Sequence, residues 1–447
     1  MNGDSTADRI TALGSGGFMT ALYNLLWYPA LPFVIYASGG RDEVNRRERL
    51  GAVALADTAR GTPRFWIHAA SVGEVEAVRP VALGLMRQYP DAMMVVTTMT
   101  LAGRTAAAKR ITGAAACRLA PLDCASGVRS FLASVRPQIV LIAETELWPN
   151  YLIEASRSGA KVVIINGRIS ARSMRRYRYV RPLIADALVH AHLVLVQTTD
   201  DANRFRALGA SPASVVVTGN TKFDFDDAPT EIRSALVQFC TGRPVLVAGS
   251  TAPGEERMVL TAYRNLLERF PTLALVLAPR HLNRVDEIGS EIRTAGFTWE
   301  RASAMPPEIT AGAVDLTSPP RASASVLLLD TMGELRAIYS RATIALVGGS
   351  MLPPRGGQNV TEPATVSVPV MFGPHHENQQ QAADAILEAG GGRVVADAAQ
   401  IESTCAEWLA DPDARRAAGA NARRAVERLA GGVAATLSKL TALIGDP

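Results

Sequence analysis

The chain is poor in cysteine. Four residues, Cys117, Cys124, Cys240 and Cys405, are scattered over 447 positions, with no CxxC pair and no histidine at zinc-ligand spacing. That argues against a disulfide scaffold or a structural zinc, and for reduced core thiols in a cytosolic compartment. The six histidines, His68, His190, His192, His281, His375 and His376, form no HExxH pair. No metal ligands and no resident cofactor are expected. A GxxxxGK[ST] phosphate loop is missing, which speaks against NTP hydrolysis. A strict GxGxxG after an apolar run is also missing, which weakens NAD or FAD. An excess of one charge is lacking too: 46 Lys and Arg stand against 42 Asp and Glu. A net charge of +4 suits an anionic substrate or membrane surface. It is too small to argue nucleic acid, and no aromatic-basic alternation or heptad zipper adds to it.

What is present begins with an apolar N-terminus. No charged residue occurs between Arg9 and Arg41, and the apolar heart runs from Phe18 to Ala37. Twenty such residues can cross a bilayer. Pro29, Pro32 and Asn24 weaken an ideal span, whereas Trp27, Tyr28 and Tyr36 suit an interface. The run is too long for a signal-peptide core. Arg41, Arg46, Arg47 and Arg49 follow, and the positive-inside rule places the remainder in the cytoplasm. A buried or interfacial hairpin is the alternative.

The remainder alternates short apolar runs with helical stretches. Strands are predicted at 64–70, 93–98, 138–143, 161–165, 193–197 and 215–219, then at 244–248, 273–278, 326–329, 344–347 and 368–372. Near-continuous apolar runs suit parallel sheets covered on both faces. Two series imply two domains with a cleft between them. The organisation expected is 1–50 as membrane anchor and basic flank, 51–224 as first lobe, 225–242 as linker and 243–447 as second lobe.

Loops after these strands carry the chemistry. Ser71-Val72-Gly73-Glu74 follows the first. Ser71 at N-cap with Glu74 at N3 is also a capping box, so the pair has a structural and a catalytic reading. Glu144-Thr145-Glu146-Leu147-Trp148-Pro149-Asn150 follows a second strand. Two carboxylates there suit acid–base work or a charged helix start. Lys222, in Gly219 to Asp224, could neutralise a phosphate or carboxylate. In the second series Gly249 to Thr251, Ala278 to His281, Asp330 to Leu335, Gly348 to Ser350 and Gly356 to Pro363 follow strands. Several such loops on one sheet edge point to a nucleotide. His190 and His192 read as structural, while His375 and His376 could touch substrate.

These residues carry a resemblance. The chain resembles the Kdo (3-deoxy-D-manno-octulosonic acid) transferase family. The matching stretches are Glu48 to Gly51, HAASVGEVEA from His68, VTTMTLAGR from Val96, APLD from Ala120, ETELWPN from Glu144 and NGRISARSMRRYR from Asn166. They continue with GNTKFD from Gly219, AGST from Ala248, APRH from Ala278, DTMGEL from Asp330, GGQNVTEPA from Gly356 and FGPHHEN from Phe372. The resemblance implies a GT-B glycosyltransferase of two Rossmann-like parallel-sheet lobes with an interlobe cleft. The first lobe would meet the lipid acceptor, and the second would hold CMP-Kdo. Kdo would pass, with inversion, to the 6′-hydroxyl of a tetraacyl disaccharide lipid A precursor at the cytoplasmic side of the inner membrane. Glu74 matches the family's general base, and Glu144 and Lys222 match transition-state stabilisers. Pro279, Arg280, Met332, Gly333, Glu334, Asn359, Val360, Thr361 and Glu362 match CMP-contacting loops. The arginines between Arg168 and Arg181 would meet acceptor phosphates or anionic lipid.

Two departures fall in the donor loops. Gln358 stands where the family usually has histidine, and Ala252 stands where histidine usually follows AGST. Another GT-B enzyme using a UDP-sugar is the alternative in the same class. A membrane-tethered, non-catalytic binding protein is the alternative from a different class.

Overall fold

The computed structural model describes residues 6–37, 42–53, 61–224, 231–307 and 325–445. The chain forms two compact units. One comprises Met1–Asp224 with Ala430–Pro447, the other Phe225–Leu429.

The first unit is built on seven parallel strands: β1 Arg64–His68, β2 Met93–Thr98, β3 Ala116–Leu119, β4 Ile139–Ala143, β5 Lys161–Gly167, β6 Leu193–Val196 and β7 Val215–Val217. Their order is β3-β2-β1-β4-β5-β6-β7. Alternation sends neighbouring side chains to opposite faces. Trp66, Val95, Val140 and Val162 pack on one face with Phe131 and Tyr151. Phe65, Ile67, Leu141 and Val163 pack on the other. Both faces being covered, β2 and β4 are buried along their whole length.

The second unit repeats the plan. Its strands are β8 Val245–Thr251, β9 Ala274–Pro279, β10 Trp299–Arg301, β11 Val326–Leu328, β12 Ile344–Val347, β13 Val370–Phe372 and β14 Gly392–Val394, in the order β10-β11-β9-β8-β12-β13-β14. All pairings in both sheets are parallel. In each sheet the first strand in sequence has neighbours on either side whose connections run in opposite directions. The switch points fall between β1 and β4, and between β8 and β12. The loops leaving those strands open a crevice at the carboxyl edge of each sheet.

The divisions differ from the sequence expectation in three places. The segment 231–242 is no linker: helix Ser234–Cys240 buries Leu236, Phe239 and Cys240 against the second sheet. The positions 225–230 lie outside the described residues. The helix Gly432–Ile444 belongs to the first unit rather than the second, and buries Leu440 there. The basic flank is part of the first unit as well. Glu48 and Arg49, on helix Glu43–Arg49, are buried. Arg49 donates to the carbonyls of Met99 and Ala120, and Glu48 accepts the Leu119 N–H at 2.7 Å.

The N-terminal apolar run is one helix, Thr6–Ala37, of 32 residues. By length and composition its stretch Gly17–Ala37 is apolar enough to cross a membrane, and little of it is buried. One face carries polar contacts to the first unit. Thr20 donates to Asp186 at 2.6 Å, Tyr23 donates to Asp123 at 2.8 Å, and Asn24 accepts from Asn150 at 2.8 Å. The spacing i, i+3, i+4 is one helical face.

The last helix sits where it matters for the loops. Asp224 accepts the N–H groups of Gly431 and Val433, both at 2.6 Å, so the end of the GNTKFD loop caps helix Gly432–Ile444. Gly432 passes so close to Asn220 that a Cβ would lie 2.9 Å from its carbonyl carbon, which only glycine allows. Truncating Leu440 to Ala should cost about 2–5 kcal/mol of stability. Hydrogen exchange should report the loss in β1 and the helix after it, and leave β8 to β14 protected.

Candidate active site

At the first switch point the β1 loop delivers Ser71 and Glu74. Ser71 is the N-cap of helix Val72–Gln88 and accepts the Glu74 N–H. The Glu74 carboxylate turns back and accepts the Ala70 N–H at 2.8 Å and the Ser71 hydroxyl at 3.2 Å. The capping box thus closes one residue earlier than its usual form, and it fixes the carboxylate at the sheet edge. Burial above all, then the charges of Glu146 and Glu144, push the Glu74 carboxyl up to about 7, and the Ala70 and Ser71 contacts offset them only in part.

The β4 loop delivers Glu144 and Glu146. Glu144 sits in the left-handed region at φ 48° and accepts from Lys222 Nζ at 2.6 Å. Asn166, buried at the end of β5 and itself at φ 52°, joins these loops. Its amide approaches Glu144 at 3.4 Å, and its carbonyl oxygen Oδ1 accepts the Thr221 N–H at 3.0 Å. Lys222 is therefore placed from two sides, by Asn166 through Thr221 and by Asp224, which caps the last helix. Glu146 accepts the Trp148 indole N–H at 2.6 Å and faces His68 Nε2 at 3.7 Å. Burial pushes the Glu146 carboxyl up, but His68 and Trp148 more than offset it and leave it below the ordinary range.

Asp123, after β3, pins the start of the helix Pro149–Arg157 that follows the β4 loop. It accepts the N–H groups of Asn150 and Tyr151 at 3.2 and 3.1 Å. Burial pushes its carboxyl up to about 7, and the contacts from Tyr23, Asn150 and Tyr151 hold it from rising further.

At the second switch point the glycine loop after β12 is not free for a ligand phosphate. Glu255, fully buried, accepts the N–H groups of Ala252, Gly349, Ser350 and Met351 at 2.8 to 3.0 Å. Three consecutive N–H groups of the kind that cradle phosphate are occupied by an internal carboxylate. This corrects the expectation that Gly348 to Ser350 meet a nucleotide. The two departures from the family pattern border the same feature. Ala252 donates its N–H to Glu255, and Gln358 packs over Gly349.

The other donor-loop residues are placed as follows. Pro279 ends β9, and Arg280 is exposed beyond it. Met332 is 79% exposed, and Gly333 has φ 90°. Glu334 is held by Arg233 through bonds of 2.6 and 2.9 Å. Burial raises the Glu334 carboxyl, but Arg233 and Thr331 outweigh it and hold it below the ordinary range. Asn359 accepts the N–H and hydroxyl of Thr361 at 3.1 and 2.5 Å and donates to Glu362 at 3.3 Å. Val360 and Thr361 are buried. Burial pushes the Glu362 carboxyl up, against Asn359, Arg336 and Arg280, which lower it. Each unit therefore gathers its own set of predicted residues. Sequence reasoning assigned no role to His68, Asn166, Asp224, Arg233 or Glu255. Asn166 and Asp224 lay inside motifs already singled out, but their partners are 55 and over 200 positions away.

Comparison with known proteins adds the following. Residues 45–225 match a family model described as 3-deoxy-D-manno-octulosonic-acid transferase (kdotransferase). A 3-deoxy-D-manno-octulosonic acid transferase of Bordetella pertussis is 32% identical over 418 residues, covering 91% of this chain and 94% of that protein. One from Haemophilus influenzae is 31% identical over 330 residues, covering 73% and 74%. Among solved structures, UDP-GlcNAc 2-epimerase from Neisseria meningitidis superposes with a TM-score of 0.53 at 14% identity, over 86% of this chain and all of that one. That likeness concerns the two-lobed Rossmann-like fold alone.

Glu255→Ala would strip acceptors from four buried N–H groups. It should cost about 3 kcal/mol or more. Denaturation should show the loss, and hydrogen exchange should rise first at Gly349, Ser350 and Met351.

Proposed function

The chain belongs to the Kdo transferase family, and from that premise we propose that it moves Kdo from CMP-Kdo to the 6′-hydroxyl of the tetraacyl disaccharide lipid A precursor, inverting the anomeric centre. The observation that carries the reading is the first switch point, where a half-buried carboxylate pushed up to about 7 shares a crevice with a carboxylate–lysine pair.

Inversion calls for one in-line displacement. The acceptor oxygen forms its bond to the anomeric carbon as the bond to the CMP phosphate oxygen breaks, and the leaving group takes the electron pair. Glu74 takes the hydroxyl proton. A base works best with a pKa near the working pH, and its environment supplies that. Glu144 stabilises the oxocarbenium-like transition state. Lys222 meets the charge of the departing phosphate or of the Kdo carboxylate. In the second lobe Pro279 and Arg280, Met332 to Glu334, and Asn359 to Glu362 contact the donor. Arg280 would grip an anion in fork geometry, while Glu362 suits ribose hydroxyls. No divalent metal takes part in this scheme.

The acceptor is an amphiphile, so membrane attachment raises its local concentration. The N-terminal helix exposes Phe18, Leu25, Leu26, Tyr28, Phe33 and Tyr36 away from its docked face, and these residues enter the cytoplasmic leaflet of the inner membrane. The segment from Arg168 to Arg181 adds cations for phosphates or anionic lipid.

A radiolabel transfer assay with CMP-Kdo and the tetraacyl precursor, run with and without EDTA, tests the reaction. Product should form in both arms. Glu74→Gln should lower kcat by about 10²- to 10⁴-fold, and Lys222→Ala by about 10²- to 10³-fold. Because the base must be ionised, wild-type kcat/KM should rise with pH through about 7 and flatten above it. No product from folded protein with CMP-Kdo, and product with a UDP-sugar, would overturn the donor assignment. In vesicle flotation, replacing Phe18, Leu25, Leu26 and Phe33 together by Ser should release the protein from anionic liposomes.

A further inference from the structure

Three carboxylates share the first switch point, and their partners differ in kind. Glu144 has a full cation, Lys222, at 2.6 Å. Glu74 has an N–H and a hydroxyl. Glu146 has the Trp148 indole N–H and, at 3.7 Å, the imidazole of His68. The Trp66 indole can only donate, and it donates to Thr97 Oγ1 at 2.8 Å. Thr97 then has its own proton to give, and His68 Nδ1 lies 3.0 Å away. Among the described residues Nε2 makes no hydrogen bond, and it points at Glu146 from 3.7 Å. Tyr151 holds the fully buried ring edge-on, with centroids 5.1 Å apart. The line Trp66, Thr97, His68, Glu146, Trp148 thus orients one carboxylate, and among the described residues no lysine or arginine forms an ion pair with it.

That charge lies beside the base. His68 ends β1 and pairs in register with Ile142 of β4. Ala70, two residues on, binds Glu74. The Glu146 side chain therefore reaches back across the strand end that holds the Glu74 carboxylate. We propose that Glu146 is a positioning residue for Kdo transfer: its carboxylate, oriented by Trp148 and His68, prepares Glu74 to receive the acceptor proton. The proposal rests on the reading of Glu74 as base. The other titratable groups facing the pair are Glu144, matched by Lys222, and the phenols of Tyr151 and Tyr177, which donate to the carbonyls of Pro121 and Thr145. Glu146 is the first and Glu144 the second of the charges that raise Glu74.

The test is the pH profile of kcat/KM in the full chain for wild type, Glu146→Gln, Glu146→Asp and Trp148→Phe. Removing a like charge lowers the affinity of Glu74 for a proton. Glu146→Gln should move the acid limb to lower pH by about one unit, with a lower plateau because the base is weaker. Glu146→Asp should return the limb towards wild type. A merely structural role would lower activity at every pH and leave the limb in place, and that result overturns the proposal. If Glu146→Gln does not fold, Trp148→Phe keeps the charge but loses its anchor, and an unmoved limb there overturns the proposal equally. The underlying reading fails separately, if the wild type shows no acid limb or Glu74→Gln retains full turnover. Infrared titration of the Glu74 carboxylate gives the same comparison without turnover.

Discussion

A carboxylate taken out of water must be met by donors or surrender its charge. Much of this molecule follows from how its buried acids meet that demand with backbone N–H groups. Glu48 takes the N–H of Leu119 and ties the helix Glu43–Arg49 to the end of β3. Asp123 takes two from the first turn of the helix Pro149–Arg157, and so anchors the loop that carries Glu144 and Glu146. Glu74 takes one from the end of β1. Glu255 takes four. Each acid fixes a loop at the carboxyl edge of a sheet, where short polar connections would otherwise have little to hold them.

The two sheets have the same winding but use their switch points differently. In the first, three acids and a lysine keep some exposure, and the partners of the acids range from the Lys222 cation to the N–H and hydroxyl that hold Glu74. In the second, the crevice position that would suit a phosphate is already filled from within. Glu255 makes the loop rigid at the cost of its anion site. In the proposed reaction the donor's phosphate must then find its charge partners elsewhere in that lobe, at Arg280 or in the loops around Glu334 and Asn359.

Much of this was legible in the sequence, for identifiable reasons. The inner strands are continuous apolar runs because both faces are covered, and they were predicted within a few residues. The strands β3, β10 and β14 were not. They are edge strands of three or four residues, and Arg118, Glu300 and Arg393 interrupt them, so no apolar run marks them. The Ser71–Glu74 cap was legible because it depends on local spacing alone. The Arg233–Glu334 pair and the Glu255 cluster were not, since each joins segments about a hundred residues apart. The final helix was assigned to the wrong lobe for a related reason. Its pattern says amphipathic helix, and nothing in that pattern says which sheet it covers.

That helix also imposes an order on synthesis. The first lobe is discontinuous in the chain, with Phe225–Leu429 inserted before its closing segment. A ribosome releases the second lobe before it has made the helix that covers Leu85 and Val75 in the first. Until then the Lys222 loop lacks the helix end that Asp224 caps. The nascent first lobe thus waits, with part of one hydrophobic cluster bare, while its apolar N-terminal helix is already outside the exit tunnel. The geometry proposed for catalysis arrives last, after the lobe proposed to hold the donor has had time to fold.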